Sequence, residues 1–259
     1  MENPALLFKY QTFTPASIGN LGSRQIWLSR PARFNDPFDC AIRVDRGPIT
    51  DPDFERLYLH LRIESDDPAA FDAHYAPSAS LNPAFREHVQ KGLDTAFEER
   101  KRIVLDSRGV CCFSETNDDI LMWSHYADNH KGFCLGFKTS VRPFADAWRV
   151  DYHAQVPAVN PVSLILDDVD DVFRAMIVTK FECWSYEREW RLFHMEADKA
   201  YGYSAGALDS VYFGTAMPES QQIVIGKLLH GTSTRLYQME RDPVRFGVTP
   251  RAVTFNPTR

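Results

Sequence analysis

Strand-like runs on both sides of a long helix-patterned stretch constrain this chain more than any other feature. Leu6-Leu7-Phe8-Lys9-Tyr10-Gln11-Thr12-Phe13 is β-prone and is ended by Pro15. Gln25-Ile26-Trp27-Leu28-Ser29 gives a second short strand, and Arg33-Phe34-Asn35-Asp36-Pro37-Phe38-Asp39 after it is turn-rich. From about 51 to 106 the period changes. Phe54, Leu57, Tyr58 and Leu61, then Phe85, Val89, Leu93 and Phe97, recur at three- and four-residue spacing, with Asp51 or Asp53 placed to cap the first helix. Gly109-Val110-Cys111-Cys112-Phe113-Ser114 and Gly132-Phe133-Cys134-Leu135-Gly136-Phe137 then read as strands. Between them lies a short helix from Ile120 to Asp128, capped by Asn117 or Asp118. A strand at 148–152, a helix at 168–179, a strand at 210–213, a helix at 218–229, and strands near Leu236 and at 245–248 complete the pattern. Strands that resume after a helical block predict one α+β domain over 1–259. Its core is a mixed, mainly antiparallel sheet, with a helical insertion at about 51–106.

Several function classes drop out. A net charge of −6 argues against a general binder of phosphate backbones, while leaving a local basic patch possible. No apolar run is long enough to span a bilayer, and the N-terminus lacks the basic start and apolar core of a signal peptide. The five cysteines form no Cys-x-x-Cys pair, so free thiols in a reducing cytoplasm are expected. His125 and His130 are spaced poorly for one helix face, and no metal is expected. Neither a glycine-rich dinucleotide motif, a P-loop, a nucleophile elbow nor a zincin motif is present.

The strongest chemical signal is Trp184 to Phe193. Read with a period of two, Trp184, Tyr186, Arg188, Trp190 and Leu192 face the core, while Glu187, Glu189 and Arg191 share the other face. On one strand the two glutamates stand about 7 Å apart. The plain reading is a solvated face with a Glu–Arg pair. The sharper reading is a carboxylate beside a cleft, stabilising a developing cation or acting as a base. Three other polar blocks flanked by rings favour the second: Lys9 beside Tyr10, Ser114 after Phe113, and His125 between Trp123 and Tyr126. Rings make up 13% of the chain. Trp184, Trp190, Phe133, Phe137, Phe85 and Phe97 fit a core, whereas Tyr10, Phe113, Trp123 and Tyr126 recur where a stacking pocket would need them.

Six ordered blocks carry a family resemblance. They are Phe8-Lys9-Tyr10, Phe34-Asn35-Asp36-Pro37-Phe38-Asp39, Cys112-Phe113-Ser114, Met122-Trp123-Ser124-His125-Tyr126-Ala127, Gly132 to Phe137, and Tyr186-Glu187-Arg188-Glu189-Trp190-Arg191. From about Leu6 to Gly226 the chain resembles a widespread bacterial family of domains of unknown function, number 2971 in its series. The order of elements is also similar to the ADP-ribosyltransferase fold, a split and mainly antiparallel sheet. Those enzymes carry a basic or His residue on the first strand, a Ser or Tyr on a middle strand and a Glu-x-Glu pair on a later one. Lys9, Ser114 and Glu187-Arg188-Glu189 match that order, although Lys9 replaces Arg or His and a full Ser-Thr-Ser is missing.

The resemblance implies an enzyme that cleaves NAD, used as substrate, and transfers ADP-ribose to an unknown protein or nucleic-acid acceptor. Glu189 would stabilise the oxocarbenium ion, Glu187 would position the acceptor and Ser114 would orient Glu189. Lys9 would hold ribose or phosphate. Tyr10, Phe113, Trp123, His125 and Tyr126 would form the nicotinamide pocket, and Asn35 and Asp36 would order its flanking loop. A role in toxin–antitoxin or phage-defence systems is in keeping with a bacterial protein of this type. The alternatives are a carboxylate-pair N-glycosidase and a non-catalytic module that binds a nucleotide or a protein.

Overall fold

A computed structural model describes residues 3–45, 49–75, 82–160, 162, 166 and 169–256. Its main element is an eight-stranded sheet. At the centre β1 (Leu6–Gln11) lies between β5 (Phe133–Lys138) and β4 (Gly109–Ser114). On one side β5 leads to β12 (Leu208–Phe213), β13 (Arg235–Arg241) and β14 (Val248–Val253). On the other, β4 leads to β10 (Glu189–His194) and the short β6 (Trp148–Arg149). Within this sheet, among the described residues, only β12 and β13 run parallel, and the helix Glu219–Leu228 makes the crossover that a parallel pair requires. The fold is thus α+β with a mixed, mostly antiparallel sheet.

The two halves of the sheet barely join. β1 pairs with β5 at every position from Leu6 to Gln11, but with β4 at one position, Phe8 opposite Ser114. The start of β4 is closed instead by Ser29, which exchanges both hydrogen bonds with Val110. Between these two points the edge of β4 is open. Lys9 fills the gap, its Nζ donating to the Cys112 carbonyl at 3.2 Å. A side-chain ammonium therefore satisfies a backbone acceptor that a neighbouring strand would otherwise take.

Period-two alternation decides the faces. Leu7, Phe113, Phe137, Trp190 and Leu192 join one large core with Phe133, Phe144 and Val211. Phe8, Tyr10 and Cys134 meet Trp123 and Met122 of α5 (Ile120–Tyr126 when helices are counted along the chain) on the opposite face. The earlier helices are α1 (Pro15–Gly22), α2 (Asp51–Glu64), α3 (Pro68–Tyr75) and α4 (Pro83–Ser107). Phe54 and Leu57 of α2 pack on Phe85, Val89 and Leu93 of α4, while Phe97 and Val104 join the sheet-side cluster with Met176 and Ile177 of α6 (Val169–Val178). One long helix thus ties the helical block to the strands.

The structure corrects several boundaries. Pro15 does more than end β1: it opens α1, where Thr14 caps and Pro occupies the first turn. The caps of α2 and α5 are Thr50 and Asp119 rather than the neighbouring acids and Asn117. Residues 148–152 split between β6 on β10 and β7 (Asp151–His153), which pairs with β9 (Thr179–Phe181) in a separate sheet. The last strand starts at Val248, where the expected 245–248 segment ends, and runs on to Val253. The largest correction concerns Trp184–Phe193. Glu182–Glu187 is a 3-10 turn and Arg188 is left-handed with φ 45°, so the strand begins only at Glu189. Glu187 and Glu189 consequently do not share a strand, and the face carrying Glu189 and Arg191 is buried instead of solvated.

α5 is followed by three successive left-handed residues, Asp128, Asn129 and His130, a conformation that Asp and Asn adopt singly but that is costly as a run. It persists because Gly132 and Gly214 let main chains approach. A Cβ on Gly132 would sit 2.1 Å from the Gln11 carbonyl oxygen, and one on Gly214 2.1 Å from that of His130. Gly132→Ala should therefore cost about 1–3 kcal/mol, the range for overpacking. A urea titration checks this; an unchanged midpoint would contradict the tight approach.

Candidate active site

Where β1 and β4 part, a cavity of about 150 Å³ opens. Its walls include Lys9, Tyr10, Asn35, Phe113, Ser114, Tyr126, Glu187 and Glu189. Phe8, Phe34, Asp39, Cys112, Met122 and Lys180 complete the lining. Eight residues singled out in the sequence thus come together from five separated segments. The volume of about 150 Å³ is below the several hundred Å³ usual for a drug-sized ligand, so one end of a nucleotide can enter, not a whole dinucleotide.

Beneath the cavity lies a buried ionic cluster. Arg191 has no exposed surface and uses its full fork of donors. Nε and Nη2 donate to Glu189 at 2.8 and 2.9 Å, and Nη2 also donates to Asp39 at 3.0 Å. Nη1 donates to the Ile177 carbonyl at 2.7 Å and contacts Cys40 Sγ at 3.3 Å. Lys180 Nζ bridges both glutamates, forming a close ion pair with Glu187 and reaching Glu189 at 2.9 Å. Asp39 stands 3.7 Å from the same ammonium. Three carboxylates therefore face two cations out of contact with bulk water.

The environments push these carboxylates apart. Burial opposes the charge of Glu189, but Arg191 and Lys180 outweigh it and hold its pKa down at about 2. For Glu187 burial wins over the Lys180 attraction and raises its pKa; the same holds for Asp39 despite Arg191. Burial also opposes the charge on Lys180, yet Glu189 and Glu187 keep it above the ordinary lysine value. Glu189 is thus a fixed anion and Glu187 the more basic carboxylate. Tyr126 donates its hydroxyl to Glu187 at 2.7 Å, and burial together with that carboxylate raises the phenol pKa and keeps it protonated.

The surroundings position the cluster. Ser114 Oγ donates to the main-chain oxygen of Glu187 at 2.7 Å, so it fixes the turn carrying Glu187 and not the Glu189 carboxylate as expected. Glu115 N donates to the Arg188 carbonyl at 3.1 Å, and Arg188 N to Ser185 at 3.2 Å. These bonds pin Arg188 in the left-handed region. Glu189 N donates to the Tyr152 hydroxyl at 2.8 Å.

Three expected site residues lie elsewhere. Trp123 is fully buried behind Tyr10, edge-on with centroids 5.2 Å apart, and its Nε1 donates to the Asn117 carbonyl. It supports the wall without forming it. His125 is exposed and sits edge-on to Trp184. Asp36 accepts a hydrogen bond from Phe38 N at 2.9 Å, shaping the turn outside the cavity. Conversely, Asp39 and Lys180 belong to the cluster but carried no local signal beyond two hints. Asp39 ends the Asn-Asp-Pro turn, and Lys180 interrupts an apolar run after Ile177, Val178 and Thr179.

Residues 122–147 match the model of a family described as Protein of unknown function (DUF2971). The match supports the resemblance to that family over α5, the left-handed turn, Gly132 and β5, and so includes Met122 and Tyr126 of the cavity wall. No curated protein and no solved structure matches the chain significantly. No helix among the described residues is long and apolar enough to cross a membrane, and no group of three or more His, Cys, Asp or Glu among them is arranged to hold a metal ion.

Proposed function

We propose that this protein is an ADP-ribosyltransferase-like enzyme that admits the nicotinamide–ribose end of NAD where the sheet splits. One observation carries the reading: Lys9, Ser114 and Glu189, from three different strands, line one cavity. The near-separation of β1 from β4 supports the split-sheet likeness to that fold.

The chemistry suits the two kinds of carboxylate. As the bond between nicotinamide and the ribose C1′ breaks, its electron pair leaves with nicotinamide and positive charge develops on the sugar. A fixed anion at Glu189 stabilises that charge without reorganising. The acceptor then bonds to C1′ and gives up its proton, and Glu187, with its raised pKa, is the better proton acceptor. Tyr10 and Tyr126 offer ring surface for nicotinamide, with Phe113 at the cavity wall packed into the core behind it. Lys9, half-buried on the β1 wall, supplies positive charge for a ribose oxygen or phosphate.

A carboxylate-pair glycosidase is less well supported. Glu187 and Glu189 share one ammonium and so belong to one wall, whereas such enzymes flank the scissile bond. A non-catalytic nucleotide-binding module draws support from a different fact: both glutamates already have cationic partners. Incubation with NAD labelled in its nicotinamide ring tests the proposal. Release of labelled nicotinamide above a no-protein control is the expected result; no release, together with no calorimetric binding of NAD, would sink it.

A further inference from the structure

A second cavity, of about 220 Å³, has Lys180 in its lining. Its lining is mainly apolar: Phe38, Ala41, Val156, Pro157 and Phe181 contribute, with His153, Gln155, Thr179 and Lys180 as polar neighbours. Phe38, Phe181 and Val156 are 64%, 45% and 37% exposed, so three large apolar side chains show surface around one hollow. Scattered apolar residues are ordinary on a surface, but a contiguous set around a concavity marks a binding site.

The two cavities are built from the same parts. Lys180 lines both. The turn after β2 (Gln25–Leu28) faces the first cavity with Phe34, Asn35 and Asp39, and the second with Phe38 and Ala41. The first cavity is too small for more than one end of a nucleotide, and the second has the size and apolar rings to take a planar base.

We propose that the second cavity holds the planar purine base of the nucleotide whose sugar enters the first, so that one ligand spans Lys180. This rests on the nucleotide reading of the first cavity. It adds a specificity element to that reading, since ligands lacking the base would lose the Phe38 and Phe181 contacts.

Calorimetry with NAD, nicotinamide mononucleotide and adenosine monophosphate, on the wild type and on a Phe38→Ala/Phe181→Ala double variant, tests it. Both positions are exposed, so truncation leaves the packed core intact. The double variant should bind NAD and adenosine monophosphate roughly 5- to 150-fold more weakly, the usual worth of a base stacked on a ring. Its affinity for nicotinamide mononucleotide should stay within about twofold, which also reports an intact fold. An unchanged NAD affinity in the double variant, or NAD binding no tighter than the mononucleotide to the wild type, would overturn the base site while leaving the first cavity's reading in place. Absence of mononucleotide binding, with adenosine monophosphate still bound and still sensitive to the two phenylalanines, would uphold the base site and remove the nicotinamide assignment. If the wild type binds none of the three, the base site is refuted.

Discussion

Arg191→Met is expected to lower the unfolding free energy by about 3–5 kcal/mol, the range for removing one partner of a buried ion pair. The side chain has no exposed surface, and its loss leaves Asp39 and Glu189 without the guanidinium that both accept from. Lys180 cannot compensate, because it is already shared among three carboxylates. Arg191→Lys separates charge from geometry. It keeps a cation but loses the planar fork that reaches two carboxylates, the Ile177 carbonyl and Cys40 at once, so an intermediate loss is expected. Urea unfolding of the three proteins decides the point. If Arg191→Met unfolds at the wild-type midpoint, the cluster contributes nothing to holding β10 against the 34–41 turn.

Glu189→Gln should reduce nicotinamide release about 10²- to 10³-fold, the cost of removing one preorganised electrostatic contact to a developing charge. NAD affinity should change far less, since the shape of the wall is kept. A purely binding protein would show no turnover to lose, and equal turnover in both proteins would remove Glu189 from the mechanism. The same pair of proteins has a distinct acid dependence. With its folded pKa held at about 2, below the ordinary 4.5, Glu189 contributes stability that is present above pH 4.5. That contribution is lost as pH falls towards 2. The stability difference between wild type and Glu189→Gln should therefore shrink as pH falls from 4.5 towards 2. A difference unchanged down to pH 2 would contradict the fixed anion.

Much of the framework was legible in the sequence. The apolar runs at β1, β4 and β5 and the four-residue spacing of Phe85, Val89, Leu93 and Phe97 are local patterns, and burial enforces them wherever they occur. Within β10 the alternation was also right, with Trp190 and Leu192 in the core and Glu189 and Arg191 opposite. It failed just upstream. A polar–aromatic alternation from Trp184 to Glu187 also suits a 3-10 turn, and only distant partners choose between the two. Ser114 holds Glu187 and Glu115 holds Arg188 from more than seventy residues away.

The site divides along the same line. Lys9, Ser114, Glu187 and Glu189 could be singled out because each is a polar residue set among rings in a strand-like segment. Asp39 and Lys180 could not, because their role exists only in their partners. Arg191 reaches Asp39 across 152 positions of sequence, and no local period encodes such a pairing. Local periodicity, which is set by backbone geometry, determined the elements and which of their faces are apolar. Whether the opposite face of β10 meets water or a second layer of charge depends on what the chain brings back over it. That was decided only when the 34–41 turn and the strand carrying Lys180 closed over Glu189, turning what would be a solvated Glu–Arg pair into a buried cluster beneath a cavity.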